Sequence, residues 1–260
     1  MTDYVPHSVV SGVEDGPPLL LLNSLGTTTE MWVPQLPLLE RFCRVIRMDT
    51  RGHGESDAPP APYAFDDLVS DAIGTLDRHG AATATVMGCS LGSMTALGMG
   101  LRDPARIDRI VCTAARADAP EPFRQSWDDR VAILDDKGMA GLWEGSLANW
   151  LTPAFREAEP QVVAALEAGF LKTSPEGYRG CAAALKGLDY LKDLPKLDVP
   201  VLFVAGSEDK GAPTAVMQAM AEAARHGQFV EIPDAGHIVN VNNPGAFALA
   251  IMDFLGLEPG

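Results

Sequence analysis

The pentapeptide Gly88-Cys89-Ser90-Leu91-Gly92 is the part of this chain best suited to chemistry. It follows a short β-branched and aliphatic run at 83–87 and precedes a helix-like stretch that ends near Arg102. A G-x-S-x-G sequence between a strand and a helix makes a turn too tight for side chains two residues before and two after the serine. Such an elbow lifts the Ser90 hydroxyl out at the carboxyl edge of a sheet. It also aims the Leu91 N–H, at the start of the helix, at negative charge developing on a substrate oxygen. The bland alternative is a glycine-rich turn with a solvated serine.

A serine hydroxyl is a weak nucleophile at neutral pH and needs a base that is itself oriented by an acid. On a sheet that presents its nucleophile this way, acid and base follow the serine in chain order. Two histidines lie far enough beyond it. His226 ends a helical stretch before Gly227, where a capping or solvated role is expected. His237 sits in the loop Asp234-Ala235-Gly236-His237, after an apolar run at 228–232, where a base can reach over the sheet edge. The favoured acid is Asp209 in Gly206-Ser207-Glu208-Asp209, directly after the run at 201–205, with Glu208 and Asp234 as nearby competitors. A second oxyanion donor should come from the loop after the first core strand, Asn23-Ser24-Leu25-Gly26, through the Leu25 N–H. Ser24 either adds a hydroxyl there or only shapes the local turn.

These loops need a frame. Apolar runs at 19–22, 44–48, 83–87, 107–112, 201–205 and 228–232 mostly lack alternation, as in strands covered on both faces of a parallel sheet. Phe65, Leu68, Val69, Ala72, Ile73 and Leu76 share one helix face, with Gly80 as a stop signal. Phe247, Ala250, Ile251, Phe254 and Leu255 repeat that pattern behind a capping Asn243 and Pro244. The fold class predicted is α/β, a mostly parallel, doubly wound sheet. Residues 1–119 and 196–260 form its core. Residues 120–195 carry only helical patterns, at 161–171 and 178–185, and read as a helical lid packed over one end of the sheet.

The chain has 260 residues, 47% of them hydrophobic, enough to bury a sizeable core. Its formal charge of −15 opposes binding to nucleic acid or to an anionic membrane. No apolar run is long enough to span a bilayer. The N-terminal residues MTDYVPHSVV lack the basic and apolar regions of a secretion signal, so a cytoplasmic location is expected. Cys43, Cys89, Cys112 and Cys181 are widely spaced, form no metal-binding pattern, and suit a reducing compartment.

Several segments together resemble the α/β-hydrolase family. They are Leu19-Leu20-Leu21-Leu22-Asn23-Ser24-Leu25-Gly26, Asp49-Thr50-Arg51-Gly52-His53-Gly54-Glu55-Ser56, the elbow, Gly206-x-x-Asp209, and Ala235-Gly236-His237. The resemblance spans about residues 18–255. Within that family the chain is most similar to 3-oxoadipate enol-lactonases, which share the Asn-Ser-Leu-Gly-Thr loop. They also share Thr113-Ala114-Ala115-Arg116 and the Gly-Tyr-x-x-Cys-x-x-Ala-Leu segment that begins at Gly177. Three departures bear on the substrate more than on the chemistry: Ser93 where Gly is usual, Asn242 where Glu is usual, and Ala212 where Thr is common.

The resemblance implies a serine hydrolase of aromatic catabolism that opens a small lactone or ester through an acyl-enzyme on Ser90. It implies neither metal nor organic cofactor. An enol-lactone of this type carries a free carboxylate, which Arg116 would pair, unless Arg116 serves a structural ion pair. Trp127 and Trp150 are expected as pocket walls or as simple lid core, and Arg51 and His53 in a structural turn. Carboxylesterases, thioesterases and C–C bond hydrolases share this fold and triad. A non-catalytic binder is the remote alternative, and such proteins often lose a triad residue. The oligomeric state, including a homo-oligomer, is left open.

Overall fold

The computed structural model describes residues 4–257. Seven strands form one sheet: β1 (Ser8–Gly12), β2 (Pro18–Leu22), β3 (Arg44–Met48), β4 (Ala84–Cys89), β5 (Ile107–Thr113), β6 (Val201–Gly206) and β7 (Gly227–Ile232). Their spatial order is β1-β3-β2-β4-β5-β6-β7. Among the described residues only β1 runs antiparallel, against β3. The other pairs are parallel.

β1 is absent from the sequence-based strand set. Its five residues, Ser-Val-Val-Ser-Gly, lie at the sheet edge and stay half-exposed, so no apolar run marks them. The central strands behave as their composition predicts. Leu19–Leu22, Val45, Ile46, Val86, Met87, Ile110, Val111 and Val201 are buried under helices on both faces. Each such side chain contributes about 1.5–3 kcal/mol on burial.

The helices are α1 (Leu36–Leu39), α2 (Phe65–Arg78), α3 (Leu91–Arg102), α4 (Glu121–Trp150), α5 (Pro153–Ala158), α6 (Pro160–Leu171), α7 (Pro175–Lys186), α8 (Thr214–Ala223), α9 (Val239–Asn242) and α10 (Pro244–Leu255). α2 buries Phe65, Leu68, Val69, Ala72 and Leu76, and Ile73 packs at the margin. It ends at a left-handed Gly80 (φ 63°), with the Ala81 N–H returning to the Leu76 carbonyl at 2.9 Å. The Asn243 side chain caps α10 by accepting the Ala246 N–H.

Between β5 and β6 the main elements are α4–α7, followed by a short 3-10 turn at Leu191–Lys196. α4 is not one continuous helix. At Gly138 the backbone leaves the helical region (φ 66°, ψ −168°), and the chain breaks into two packed segments. Trp143, Trp150, Phe170 and Tyr178 form an aromatic cluster from α4, α6 and α7, with neighbouring ring centroids 5.5–6.5 Å apart.

This topology decides where chemistry can happen. β4 lies between β2 and β5, so the turn after β4 opens at the middle of the sheet's carboxyl edge. The loops after β2, β6 and β7 open on the same edge. In an open parallel sheet that is where ligands bind.

Candidate active site

Ser90 follows β4 directly and has a strained backbone (φ 53°, ψ −114°). A non-glycine residue held at positive φ costs about 1–3 kcal/mol and needs surrounding structure to hold it. Its flanking glycines are required by contact. A Cβ at Gly88 would strike the Gly92 and Ser93 backbone, and one at Gly92 would strike the Leu22 carbonyl. The Ser90 N–H donates to the Thr113 carbonyl at 2.8 Å. Ser93 reinforces that anchor. Its hydroxyl donates to the Thr113 carbonyl at 2.8 Å and accepts the Thr113 N–H at 2.7 Å. The departure at position 93 thus supplies a clasp between α3 and the end of β5.

His237, from the loop after β7, places Nε2 2.9 Å from Ser90 Oγ and Nδ1 2.8 Å from Asp209 Oδ2. Asp209, from the loop after β6, also accepts the Gly211 N–H at 2.8 Å and the Ala212 N–H at 3.1 Å on Oδ1. Burial alone would raise the Asp209 carboxyl. The adjacent His237, with its hydrogen bond, and the two backbone donors outweigh burial and hold the group below the usual carboxylate range. Asp209 therefore stays ionised and accepts from Nδ1–H, which leaves Nε2 to accept the serine proton. Glu208 and Asp234 are exposed, and neither carboxylate bonds His237. His226 is half-exposed in the turn before β7, 3.5 Å from Asp198.

Leu25 and Leu91 are buried beside the serine. The Leu91 N–H stands at the start of α3, and Leu25 lies in the loop after β2. Leu25, Ser24, Ser90 and His237 all line a cavity of about 640 Å³, within the range of small-molecule sites. Trp127 and Trp150 line it as well. Trp150 also belongs to the buried aromatic cluster, so it is both wall and core. Behind the loop, Gly26 (φ 81°) packs on that cluster: a Cβ there would lie 2.7 Å from Phe170 Cδ2.

Arg116 lines the cavity too, but part of its charge is taken. Nη2 lies 3.3 Å from Asp118 Oδ1, and the guanidinium sits 5.4 Å from the Phe123 ring centroid. Two further cations on the cavity wall went unnoticed in the sequence, Arg130 from α4 and Lys210 beside Asp209. Arg130 donates from Nε to Tyr178 Oη at 2.7 Å and from Nη2 to Ser146 Oγ, and lies 5.6 Å from the Trp127 ring centroid. Among the described residues no carboxylate lies within 4.0 Å of the Arg130 guanidinium. Its signal was the spacing Trp127-x-x-Arg130, which puts both on one helix face. Asp129 is the acidic residue on the same wall.

The loop bearing His237 is tied to the end of α4. The His237 N–H donates to the Asn149 carbonyl at 3.2 Å, and the Ile238 N–H to the Trp150 carbonyl at 3.1 Å. Asn242 completes the tie, with Oδ1 accepting the Thr152 N–H at 3.0 Å and the Gly236 N–H at 2.9 Å. Its Nδ2 donates to Thr152 Oγ1 at 3.3 Å. This departure holds the histidine loop and the helical segment together without adding a charge.

All four cysteines are buried and free. Burial pushes the Cys89 thiol far up, so it is a neutral neighbour of the serine. Among the described residues no helix is long and apolar enough to cross a membrane, and no group of three or more His, Cys, Asp or Glu side chains is placed to hold a metal ion.

The family model for the alpha/beta hydrolase fold matches residues 17–244. The 3-oxoadipate enol-lactonase 2 of Acinetobacter baylyi is 34% identical over 249 residues, 96% of this chain and 92% of that protein. The crystal structure of the enol-lactonase from Burkholderia xenovorans superposes with a TM-score of 0.92 at 34% identity, covering 96% of each chain. A thermophilic esterase from Thermogutta terrifontis, solved with malate bound, gives a TM-score of 0.90 at 26% identity, over 96% of this chain and 92% of that one.

Proposed function

From the premise that this chain belongs to the alpha/beta hydrolase family and is a hydrolase, we propose that it opens a small carboxylate-bearing lactone, of the 3-oxoadipate enol-lactone type, by serine catalysis. The observation that carries the reading is the relay Ser90–His237–Asp209, at 2.9 and 2.8 Å, opening on a cavity with Arg116, Arg130 and Lys210 on its walls. In a chain with a formal charge of −15, three cations around one nucleophile favour an anionic substrate. The enol-lactonase relatives support the lactone, and Arg130, with no carboxylate within 4.0 Å among the described residues, is the less committed partner for its acid group.

In the first step Ser90 Oγ bonds to the lactone carbonyl carbon while its proton passes to His237 Nε2. The tetrahedral oxyanion lies against the N–H groups of Leu25 and Leu91, each donor worth about 3–4 kcal/mol in the transition state. The ring C–O bond then breaks with its electron pair on the enol oxygen. His237 returns the proton, and the enol tautomerises to a ketone. Water, deprotonated by the same histidine, attacks the acyl-enzyme and releases Ser90 and a second carboxylate. Residues 120–195 serve as the lid over this reaction, and its setting is cytoplasmic aromatic catabolism.

The test pairs a fluorophosphonate probe with turnover of an enol-lactone and of neutral p-nitrophenyl esters. Wild type should label and hydrolyse. Ser90→Ala should do neither while keeping its circular dichroism spectrum. Full turnover by Ser90→Ala would overturn serine catalysis. A preference for neutral esters over the anionic lactone would move the reading to a general carboxylesterase.

A further inference from the structure

The loop after β2 can be accounted for donor by donor. The Ser24 N–H points to Met31 Sδ at 3.4 Å, the Gly26 N–H donates to His53 Nε2 at 3.0 Å, and the Thr27 N–H donates to the Ser24 carbonyl at 3.1 Å. Among the described residues the Leu25 N–H has no acceptor, and Leu25 lines the cavity beside Ser90. Three neighbouring donors are consumed inside the chain, and one is left for a substrate oxygen.

The Thr27-to-Ser24 bond and the Gly26 φ of 81° describe a type II turn with Gly26 at its third position. Types I and II differ mainly in the orientation of the central peptide, here the one joining Leu25 to Gly26. Gly26 admits the positive φ that type II requires. His53 then secures that form, because its ring nitrogen holds the N–H of that peptide.

We propose that His53 is a positioning residue for catalysis: by accepting the Gly26 N–H it pins in place the turn that carries the Leu25 N–H beside the reacting carbonyl. This rests on the serine-hydrolase reading above. The geometry dictates the tautomer. An amide can only donate, so Nε2 is unprotonated, and Nδ1–H donates to the Arg51 carbonyl at 3.1 Å. The ring is fully buried, and burial lowers its pKa to about 4, so Nε2 remains an acceptor near neutral pH. His53 thus touches no substrate and acts through a backbone peptide. Its own orientation comes from the segment after β3, which the Arg51 pair with Asp71 pins to α2 at 2.7 and 2.8 Å.

The experiment compares wild type with His53→Phe, which removes the acceptor, and His53→Gln, which keeps one. Each is assayed for kcat and KM on p-nitrophenyl acetate and for inhibition by an alkyl trifluoromethyl ketone. That ketone forms a hemiketal with Ser90, and its oxyanion occupies the same two-donor site. His53→Phe should lower kcat at least about tenfold, keep KM within about threefold, and weaken the ketone in parallel, a fraction of the 10²–10³ lost with a whole donor. His53→Gln should recover most of both. A folded His53→Phe with wild-type kcat and inhibition, or a His53→Gln no better than His53→Phe, overturns the proposal. If neither variant folds, the ¹⁵N spectrum of the wild-type imidazole decides, since a protonated Nε2 overturns it and an unprotonated, hydrogen-bonded one supports it. Wild-type protein inert to ester and ketone alike would overturn the serine-hydrolase reading as well.

Discussion

Asp209→Asn tests the relay most sharply, because the backbone around Asp209 dictates what the amide must do. Oδ1 of the carboxylate takes the Gly211 and Ala212 N–H groups, and Oδ2 takes the His237 Nδ1–H. An asparagine has one oxygen for these two positions. The pair of backbone N–H donors claims it, since turning an NH2 toward them would leave both without this acceptor, at about 1–3 kcal/mol for the buried Ala212 N–H alone. The amide NH2 then faces Nδ1, which must become an acceptor. The proton moves to Nε2, and His237 donates toward Ser90 instead of receiving its proton.

The base is thereby lost while the fold and the pocket stay intact. The expected result is a fall in kcat of about 10³–10⁴, or roughly 4–5.5 kcal/mol. KM should remain within about threefold, and fluorophosphonate labelling should slow in parallel with kcat. Glu208→Gln and Asp234→Asn, at exposed positions, should stay within twofold of wild type. Asp209→Asn activity within about tenfold of wild type, with a stable fold by thermal melting, would refute the tautomer argument. An equal loss from Glu208→Gln would refute the assignment of the acid itself.

Removing the cavity cations should separate charge recognition from chemistry. Arg130→Gln should lower kcat/KM for an anionic enol-lactone about ten- to a hundredfold, from a charged hydrogen bond worth about 1.5–3 kcal/mol, and leave a neutral ester within threefold. Arg116→Gln should cost less, since Asp118 already takes part of its charge, and equal losses on both substrates would make either arginine structural. Stability should also carry the mark of the buried imidazole. His53 has a folded pKa of about 4 against 6.5 in the unfolded chain, so its neutral form contributes stability above pH 6.5 that is lost as pH falls toward 4. Between pH 7 and pH 5 wild type should lose about 2 kcal/mol more unfolding free energy than His53→Gln, measured by urea titration. Identical slopes for the two proteins would contradict the burial of a neutral ring.

Much of the frame was legible because it rests on local signals. Apolar runs, mostly without alternation, marked six strands, since strands covered on both faces leave few polar positions to interrupt them. β1 escaped because a half-exposed edge strand of five residues has neither run nor clean alternation. The helical character of residues 120–195 was readable, but the break at Gly138 was not: a lone glycine in a helical pattern is as often tolerated as turned.

For the site, residue types and chain order named Ser90, Asp209 and His237, because an elbow, an acid and a base must follow strands that end on one edge. Sequence also left Glu208 and Asp234 in contention and Arg116 as the leading cation. Separating them took distances: which carboxylate is buried against Nδ1, and which guanidinium is already paired. The contacts of Arg130, Asn242 and His53 were invisible because their partners, Tyr178, Thr152 and Gly26, are 48, 90 and 27 residues away. The sequence by itself named the residues of the proposed relay, since an elbow's turn and a nucleophile's type are local properties. Only the tertiary structure decided what aims that chemistry, because the orientation of a peptide or a charge is set by whatever packs against it, however distant in the chain.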